Sequence, residues 1–167
     1  MVGLLLFIAS GLLLLWVWPS NPLPKNVKAD KIFISKSDRT LTLFRKGRVL
    51  KSYWISLGGN PIGHKIQQGD ERTPEGTYRT DYRNAQSRFH RALHISYPNA
   101  VDRRKAKKKR VSPGGDIMIH GIKNGWGKIG RLHLLADWTN GCIAVTDEEI
   151  REIWRAVPNG TLIEIKQ

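Results

Sequence analysis

Sulfur and negative charge are both scarce in this chain. Among its 167 residues there is one cysteine, Cys142, and there are 14 Asp+Glu against 28 Lys+Arg, a formal net charge of +14. A single thiol excludes an internal disulfide framework, although it does not fix the compartment, because cytosolic proteins also lack disulfides. The shortage of acids leaves a surface that favours anionic surroundings: nucleic acid, anionic lipid headgroups or a carboxylate-rich polymer. Charge alone does not choose among them, or between them and simple solubility. Internal repeats and low-complexity tracts are absent, and the length suits one domain with a real core.

Long apolar runs are confined to one place. Val2 to Trp18 carries no charge, and roughly 17–25 apolar residues are needed to span a membrane, so the run sits at the lower edge. A cleavable signal has a shorter apolar core with a small-residue site just after it. Here Pro19-Ser20-Asn21-Pro22 follows, and the nearest small-residue pattern, Val27-Lys28-Ala29, is distant. An uncleaved anchor over residues 1–18 is the favoured reading, ahead of a cleaved signal or a buried core helix. No Lys or Arg precedes the run, whereas Lys25, Lys28 and Lys31 follow it. The positive-inside rule alone would keep the domain in the cytoplasm, but that rule is weakest for long translocated domains.

Residues 19–30 read as a linker with three prolines. The domain, residues 31–167, opens as a β-meander. Ile32-Phe33-Ile34 and Leu41-Thr42-Leu43-Phe44 are short strands, and Val49 to Leu57 is a longer one rich in β-branched and aromatic residues. A glycine-rich irregular stretch follows, ending in Thr73-Pro74-Glu75-Gly76. Thr77 to Tyr82 and Ala92 to Ser96 are further strands, Asp102 to Arg110 a short basic helix, and Asp116 to His120 a strand that delivers His120 at its end. Gly121 to Gly130 reads as a loop, and Leu132 to Trp138 as a helical turn. The firmest helix follows the cysteine. Thr146 with Glu149 forms a capping box, and Ile150, Ile153, Trp154 and Val157 make one buried stripe. Thr161 to Lys166 closes the domain as a strand. The fold class is mainly β, with one firm helix in the C-terminal half, short additional helices, and an apolar helix at the N-terminus.

Chemistry points to Cys142. A cysteine attacks as the thiolate, and a neighbouring imidazole or helix N-terminus lowers its pKa from about 8.5 to roughly 3.5–7.5. His120 is the leading candidate base: a carbonyl holding one ring nitrogen would turn the other toward sulfur. Gly141 permits close approach of a substrate carbonyl, and the Gly141 and Cys142 N–H groups are candidate oxyanion donors. Such a site splits acyl transfer into two steps through a thioester. On spacing alone the signal is weak, since a lone cysteine is more often a small buried hydrophobe.

The segment Ile119-His120-Gly121 followed by Asn140-Gly141-Cys142-Ile143 resembles the signature of the L,D-transpeptidase (YkuD-type) catalytic domain. Gly69-Asp70-Glu71-Arg72-Thr73-Pro74-Glu75-Gly76, Ala92 to Pro98 and Pro113-Gly114-Gly115-Asp116 are also similar to that family, so the likeness covers nearly everything from Lys31 to Lys166. The resemblance implies a β-sandwich or barrel-like domain with the thiol in a cleft. It implies acyl transfer on peptidoglycan stem peptides, in cell-wall cross-linking or remodelling, with no metal or organic cofactor. By position, Cys142 is the nucleophile, His120 the base and Gly121 the carbonyl that orients it, with Gly141 as oxyanion donor. Stem peptides in polymer lie outside the cytoplasmic membrane, so the resemblance implies an extracytoplasmic, envelope location, anchored through the N-terminal segment. Two positions depart from the family pattern: Asn140 replaces a common His, and Ala144 a common Arg. Nucleophile and base are untouched, but the acyl acceptor is left open between an amine and water. Hydrolysis, as a carboxypeptidase or amidase, is therefore the alternative. Trp138 as a cleft wall and Thr139 as a hydroxyl donor are candidates to take over the missing roles, and each can equally be part of a packed turn.

Other residues are weighed against plainer roles. His133, His120 and Cys142 lack compact zinc-motif spacing and a fourth ligand. His64 lies in a glycine-rich loop placed to rim the cleft. His94 reads as structural, and Tyr97 and Trp126 as cleft lining or packing. The run Arg103 to Arg110 is a solvated helix face or an attractor of anionic ligands. A non-catalytic basic binding module is the reading from another class. Nucleic-acid binding is not expected, because the run has neither stacking aromatics nor a groove-reading helix.

Overall fold

A computed structural model describes residues 21–167. The apolar run expected as an anchor over 1–18 lies outside the described residues, as do the first two residues of the expected linker. Among the described residues no helix is long and apolar enough to cross a membrane.

Among the described residues eleven elements follow one another: β1 (Lys31–Ser35), β2 (Thr40–Arg45), β3 (Arg48–Trp54), β4 (Gly76–Asn84), β5 (Ala92–Ile95), α1 (Ala100–Lys108), β6 (Met118–His120), a 3₁₀ segment (Gly127–Leu135), β7 (Ile143–Ala144), α2 (Asp147–Ala156) and β8 (Leu162–Lys166). The strands form one eight-stranded sheet in the order β3-β2-β1-β8-β4-β5-β6-β7. Alternation sets which face is inside. Ile32 and Ile34 on β1, Leu41 and Leu43 on β2, and Ile163 and Ile165 on β8 are all buried, as a period of two requires. Ile150, Ile153 and Ala156 of α2 bury against this core, so the mainly β class with one firm C-terminal-half helix holds.

The sheet closes on itself. Just beyond β3, Ser56 pairs antiparallel with Ala144 of β7, the strand at the other end of the order. Ser56 N–H donates to the Ala144 carbonyl over 3.0 Å, and Ala144 N–H returns to the Ser56 carbonyl over 2.9 Å. Gly58 then pairs with Thr139. The architecture is thus a barrel whose seam runs beside Cys142.

The stretch read as a linker is packed in its described part. Leu23 and Ala29 are buried, Ala29 N–H donates to the Ala156 carbonyl over 2.8 Å, and Leu23 N–H donates to buried Glu152. Helix α1 begins two residues before the expected start. Asn99 caps it and forms a capping box with Asp102, a signal of the same kind as the Thr146–Glu149 box that α2 uses as expected. The expected turn over Leu132 to Trp138 lies instead at Gly127–Leu135, because the chain becomes extended at Ala136. There Asp137 is drawn to the Arg39 guanidinium (2.8 Å) and the Leu57 N–H (2.8 Å).

Candidate active site

Cys142 lies between the Thr139-Asn140-Gly141 loop and β7. That loop is held from behind by backbone. Thr139 N–H donates to the Leu57 carbonyl and Gly59 N–H to the Thr139 carbonyl. Gly141 has φ +114, and a Cβ there would stand 2.5 Å from the Arg72 carbonyl oxygen. Gly58 is equally pressed: its Cβ would fall 2.0 Å from the Glu71 carbonyl oxygen and 2.9 Å from Gly141 Cα. Glycine at 58 and 141 therefore lets three stretches of main chain touch directly under the thiol.

The thiol is half-buried and donates toward the Asp116 carbonyl at 3.5 Å. Burial pushes its pKa up. A hydrogen bond from Met118 N–H and the charge of Lys65 pull the other way, and Asp116 adds to the rise. The resting group is therefore a thiol, opposite to the lowered pKa expected for a cysteine nucleophile near an imidazole.

His120 ends β6, is 4% exposed, and its Nδ1 lies 2.6 Å from the Gly121 carbonyl. A carbonyl only accepts, so Nδ1 carries the proton and Nε2 keeps its lone pair. Burial drives the His120 pKa down to about 4, outweighing the opposing hydrogen bond to Gly121. The ring is tilted against Phe89 (4.5 Å between centroids) and meets Trp138 edge-on (5.8 Å). Gly121 is forced by Asp147, whose Oδ1 would stand 2.6 Å from an added Cβ and accepts from Ile122 N–H over 2.8 Å.

Cys142 and His120 line one cavity of about 440 Å³. Trp138, Trp126, Asn140 and Thr139 line it too, so five of the expected neighbours converge around the thiol. Three expectations change. Thr139 is not an available hydroxyl: its Oγ1 donates to the Cys142 carbonyl (2.7 Å) and accepts from Gly141 N–H (3.1 Å). For the same reason the Gly141 N–H is committed inside the loop rather than offered as an oxyanion donor. His64 is elsewhere. Its Nδ1 accepts from Glu75 N–H (3.0 Å), its Nε2 faces Asp102 (3.2 Å), and it lines a different cavity beside α1. Tyr97 is packing, edge-on to Tyr78 and donating to the Pro113 carbonyl. His94 is structural, bonded to Asp81 and stacked on Tyr82.

The site also holds residues that sequence reasoning missed. Phe89 is one. Ile122, Lys123 and Ile129 are others, and so is His133, which the sequence offered only as a rejected metal ligand. It is buried and lines the Cys142 cavity. Ser56 Oγ donates to the His133 carbonyl (3.0 Å), so its single proton is used, and the 3.1 Å contact with Nδ1 must run from Nδ1–H to Oγ. Nε2 is left bare and buried, with no hydrogen-bond partner among the described residues. Burial, then the nearby His120, lower its pKa to about 4. The signal lies in the seam. Ala144 is in register with both His120 and Ser56, so the three side chains share one face. A fully buried alanine is the spacer between the two histidine environments, which accounts physically for a small residue where the resembled family carries arginine. Among the described residues no three His, Cys, Asp or Glu side chains converge as metal ligands do.

Comparison with known proteins places these features. The model of the YkuD L,D-transpeptidase catalytic domain matches residues 29–165. "Putative L,D-transpeptidase YafK" of Escherichia coli strain K12 is 33% identical over 139 residues, covering 79% of this chain and 48% of the relative. The chain thus spans about half the length of the curated relatives it matches. Among solved structures, the helical cell shape determining protein Pgp2 of Campylobacter jejuni matches with a TM-score of 0.62 at 21% identity, over 85% of this chain and 49% of that one. L,D-transpeptidase 1 of Mycobacterium tuberculosis matches with a TM-score of 0.50 at 17% identity, over 82% and 60%. At those identities the structural likeness speaks for the fold.

Proposed function

This chain belongs to the L,D-transpeptidase catalytic domain family, and from that premise we propose that it transfers acyl groups of peptidoglycan stem peptides through a thioester on Cys142. The observation that carries the reading is the tautomer of His120. With Nδ1–H fixed on the Gly121 carbonyl, Nε2 keeps its lone pair, and the His120 ring lines the cavity that also holds the thiol. Because the resting sulfur is protonated, attack and proton transfer belong to one event. Sγ bonds to the carbonyl carbon of the L-centre as its proton passes to His120 Nε2. The oxyanion is met by the Cys142 N–H, since Gly141 N–H is committed to Thr139. Collapse breaks the C–N bond, and His120 returns the proton to the departing D-residue amine. An amine acceptor then loses a proton to His120, attacks the thioester carbon and releases the Cys142 thiol. The substrate's location puts the domain outside the cytoplasmic membrane, where the 1–18 segment would tether it.

The test is incubation of the protein with tetrapeptide-bearing muropeptides, following products by mass. Loss of a D-residue with wild type and its absence with Cys142→Ala is the expected result; identical products from both sink the reading. A second reading, hydrolysis at the same thiol, draws on the exposed Asn140 at the cavity rim, a residue that cannot shuttle a proton to an incoming amine. Adding a D-amino acid separates the two, because incorporation requires transfer and free-acid products alone require water. A non-catalytic basic module predicts no turnover in either assay. Slow alkylation of the resting thiol does not favour it, because burial keeps Cys142 protonated.

A further inference from the structure

The basic helix α1 and the strap that precedes β4 enclose a second cavity of about 330 Å³, separate from the one at Cys142. Its walls carry Arg72 from the strap and Lys105, Lys108 and Lys109 from the end of the helix. The carboxylates nearby are already engaged. Glu75 is paired with Lys36 (2.7 Å) and Asp70 with Lys65 (2.7 Å), and Asp102, which itself lines the cavity, accepts from His64 Nε2–H (3.2 Å). Asp102 also accepts from Tyr78 Oη and Asn99 N–H. Arg72 is different: among the described residues its buried Nε has no hydrogen-bond partner and its guanidinium has no ion pair. It also stands close enough to buried Lys36 for the two like charges to oppose each other. A guanidinium in that position is costly unless an anion completes it.

We propose that this cavity is a binding site for a phosphate group, with the Arg72 guanidinium as its anchor and Lys105, Lys108 and Lys109 as its rim. Guanidinium presents a planar fork that matches oxyanion geometry, and ammonium groups add charge without directional demand. Four cations with no ion pair among the described residues, set against the one wall carboxylate of Asp102, favour a phosphate monoester, at about −1.5 to −2, over a singly charged carboxylate. The ridge of α1 continues the field on its far side, where Arg103, Lys107 and Arg110 line another hollow. The site is independent of acyl transfer at Cys142. Only the Arg72 main chain, through its contact with Gly141, belongs to the support of the thiol loop, so neutralising the side chain tests the cavity alone.

Titration of the full chain with inorganic phosphate and pyrophosphate at low salt, followed by calorimetry, decides the matter. Arg72→Gln is expected to weaken binding at least tenfold, and Lys105→Gln/Lys108→Gln at least threefold. Arg48→Gln removes the same charge from the start of β3 and is expected to stay within twofold of wild type. The helix double variant covers the case in which Arg72→Gln does not fold. Equal losses for Arg72→Gln and Arg48→Gln, no loss for Arg72→Gln, or no saturable binding by wild type overturns the proposal. Vesicles of phosphatidylcholine with and without phosphatidic acid, whose headgroup is a phosphate monoester, identify the source. If Arg72→Gln lowers partitioning to the anionic vesicles by a factor similar to that for phosphate, a lipid headgroup reaches the cavity. If partitioning is unchanged while phosphate binding falls, the ligand is a soluble phosphate compound.

Discussion

Two regions of this molecule bury ionisable side chains in opposite ways. Around Cys142, burial goes largely unanswered. His120 and His133 are pushed down to about 4, the thiol is pushed up, and all three rest uncharged. Against the strap between Leu57 and β4, Lys36 at the end of β1 is fully buried yet surrounded by the strap's acceptors: the Gly63 and Thr73 carbonyls (2.7 and 3.1 Å) and Glu75 Oε1 (2.7 Å). Lys65 is held likewise by the Gln67 carbonyl and Asp70. Burial lowers the Lys36 pKa while Glu75 opposes that shift, and four partners hold the Asp70 carboxyl below its ordinary value despite burial. The difference lies in partner supply. Where polar partners saturate a buried group, it fixes the chain. Where a partner is withheld, proton affinity is left adjustable and chemistry becomes possible.

Variants that exchange these conditions test the contrast. The largest effect belongs to His120→Gln, which keeps a polar side chain but removes the proposed base. Single-turnover acylation by a stem peptide is expected to fall by about 10²–10⁴-fold, and an unchanged rate would place the base elsewhere. Next is Lys36→Met, which strips two carbonyls and Glu75 of their donor. A loss of about 3 kcal/mol in urea unfolding is expected, at the low end for a broken buried pair because Glu75 keeps some solvent access. Adding Glu75→Gln should restore part of it, and no restoration would mean that the carbonyls rather than the charge matter.

The smallest effect is a pH slope. The folded-state pKa values of His120 and His133 lie below the unfolded 6.5, so the unfolded chain binds more protons between about 6.5 and about 4. Stability is complete above that window and is lost as pH falls through it, by up to about 1.4 kcal/mol per pH unit for each histidine. His133→Asn should roughly halve the slope measured between pH 6.5 and 5. An unaltered slope would remove His133 from the pair of neutral histidines.

Much of this was legible locally. Cys142, His120 and Gly121 announce themselves within short motifs, and the Thr146–Glu149 box marks α2 because its partners are three residues apart. What stayed hidden depends on register between distant strands. Ser56 offers no clue that its hydroxyl will hold His133, since the seam that joins them forms only when both ends of the sheet meet. Commitments of single donors are equally invisible. Thr139 and Gly141 read as available groups until the loop turns one upon the other. His64 shares a glycine-rich stretch with residues that back the thiol, yet a capping carboxylate, Asp102, draws it to the far side. The Asn99–Asp102 box was present in the sequence, and it fixes the start of α1.

The seam has a kinetic meaning. The Cys142 loop hangs from Leu57 and Gly59, immediately past the Ser56–Ala144 pair, and these contacts join positions far apart in the chain. Such contacts repay their loop-closure entropy only once the intervening elements are in place. Folding therefore acts as a safety catch: an incompletely closed chain carries a thiol without its support, which arrives only with the finished barrel. Slow hydrogen exchange at the Ser56 and Ala144 amides would mark the moment at which that catch is set.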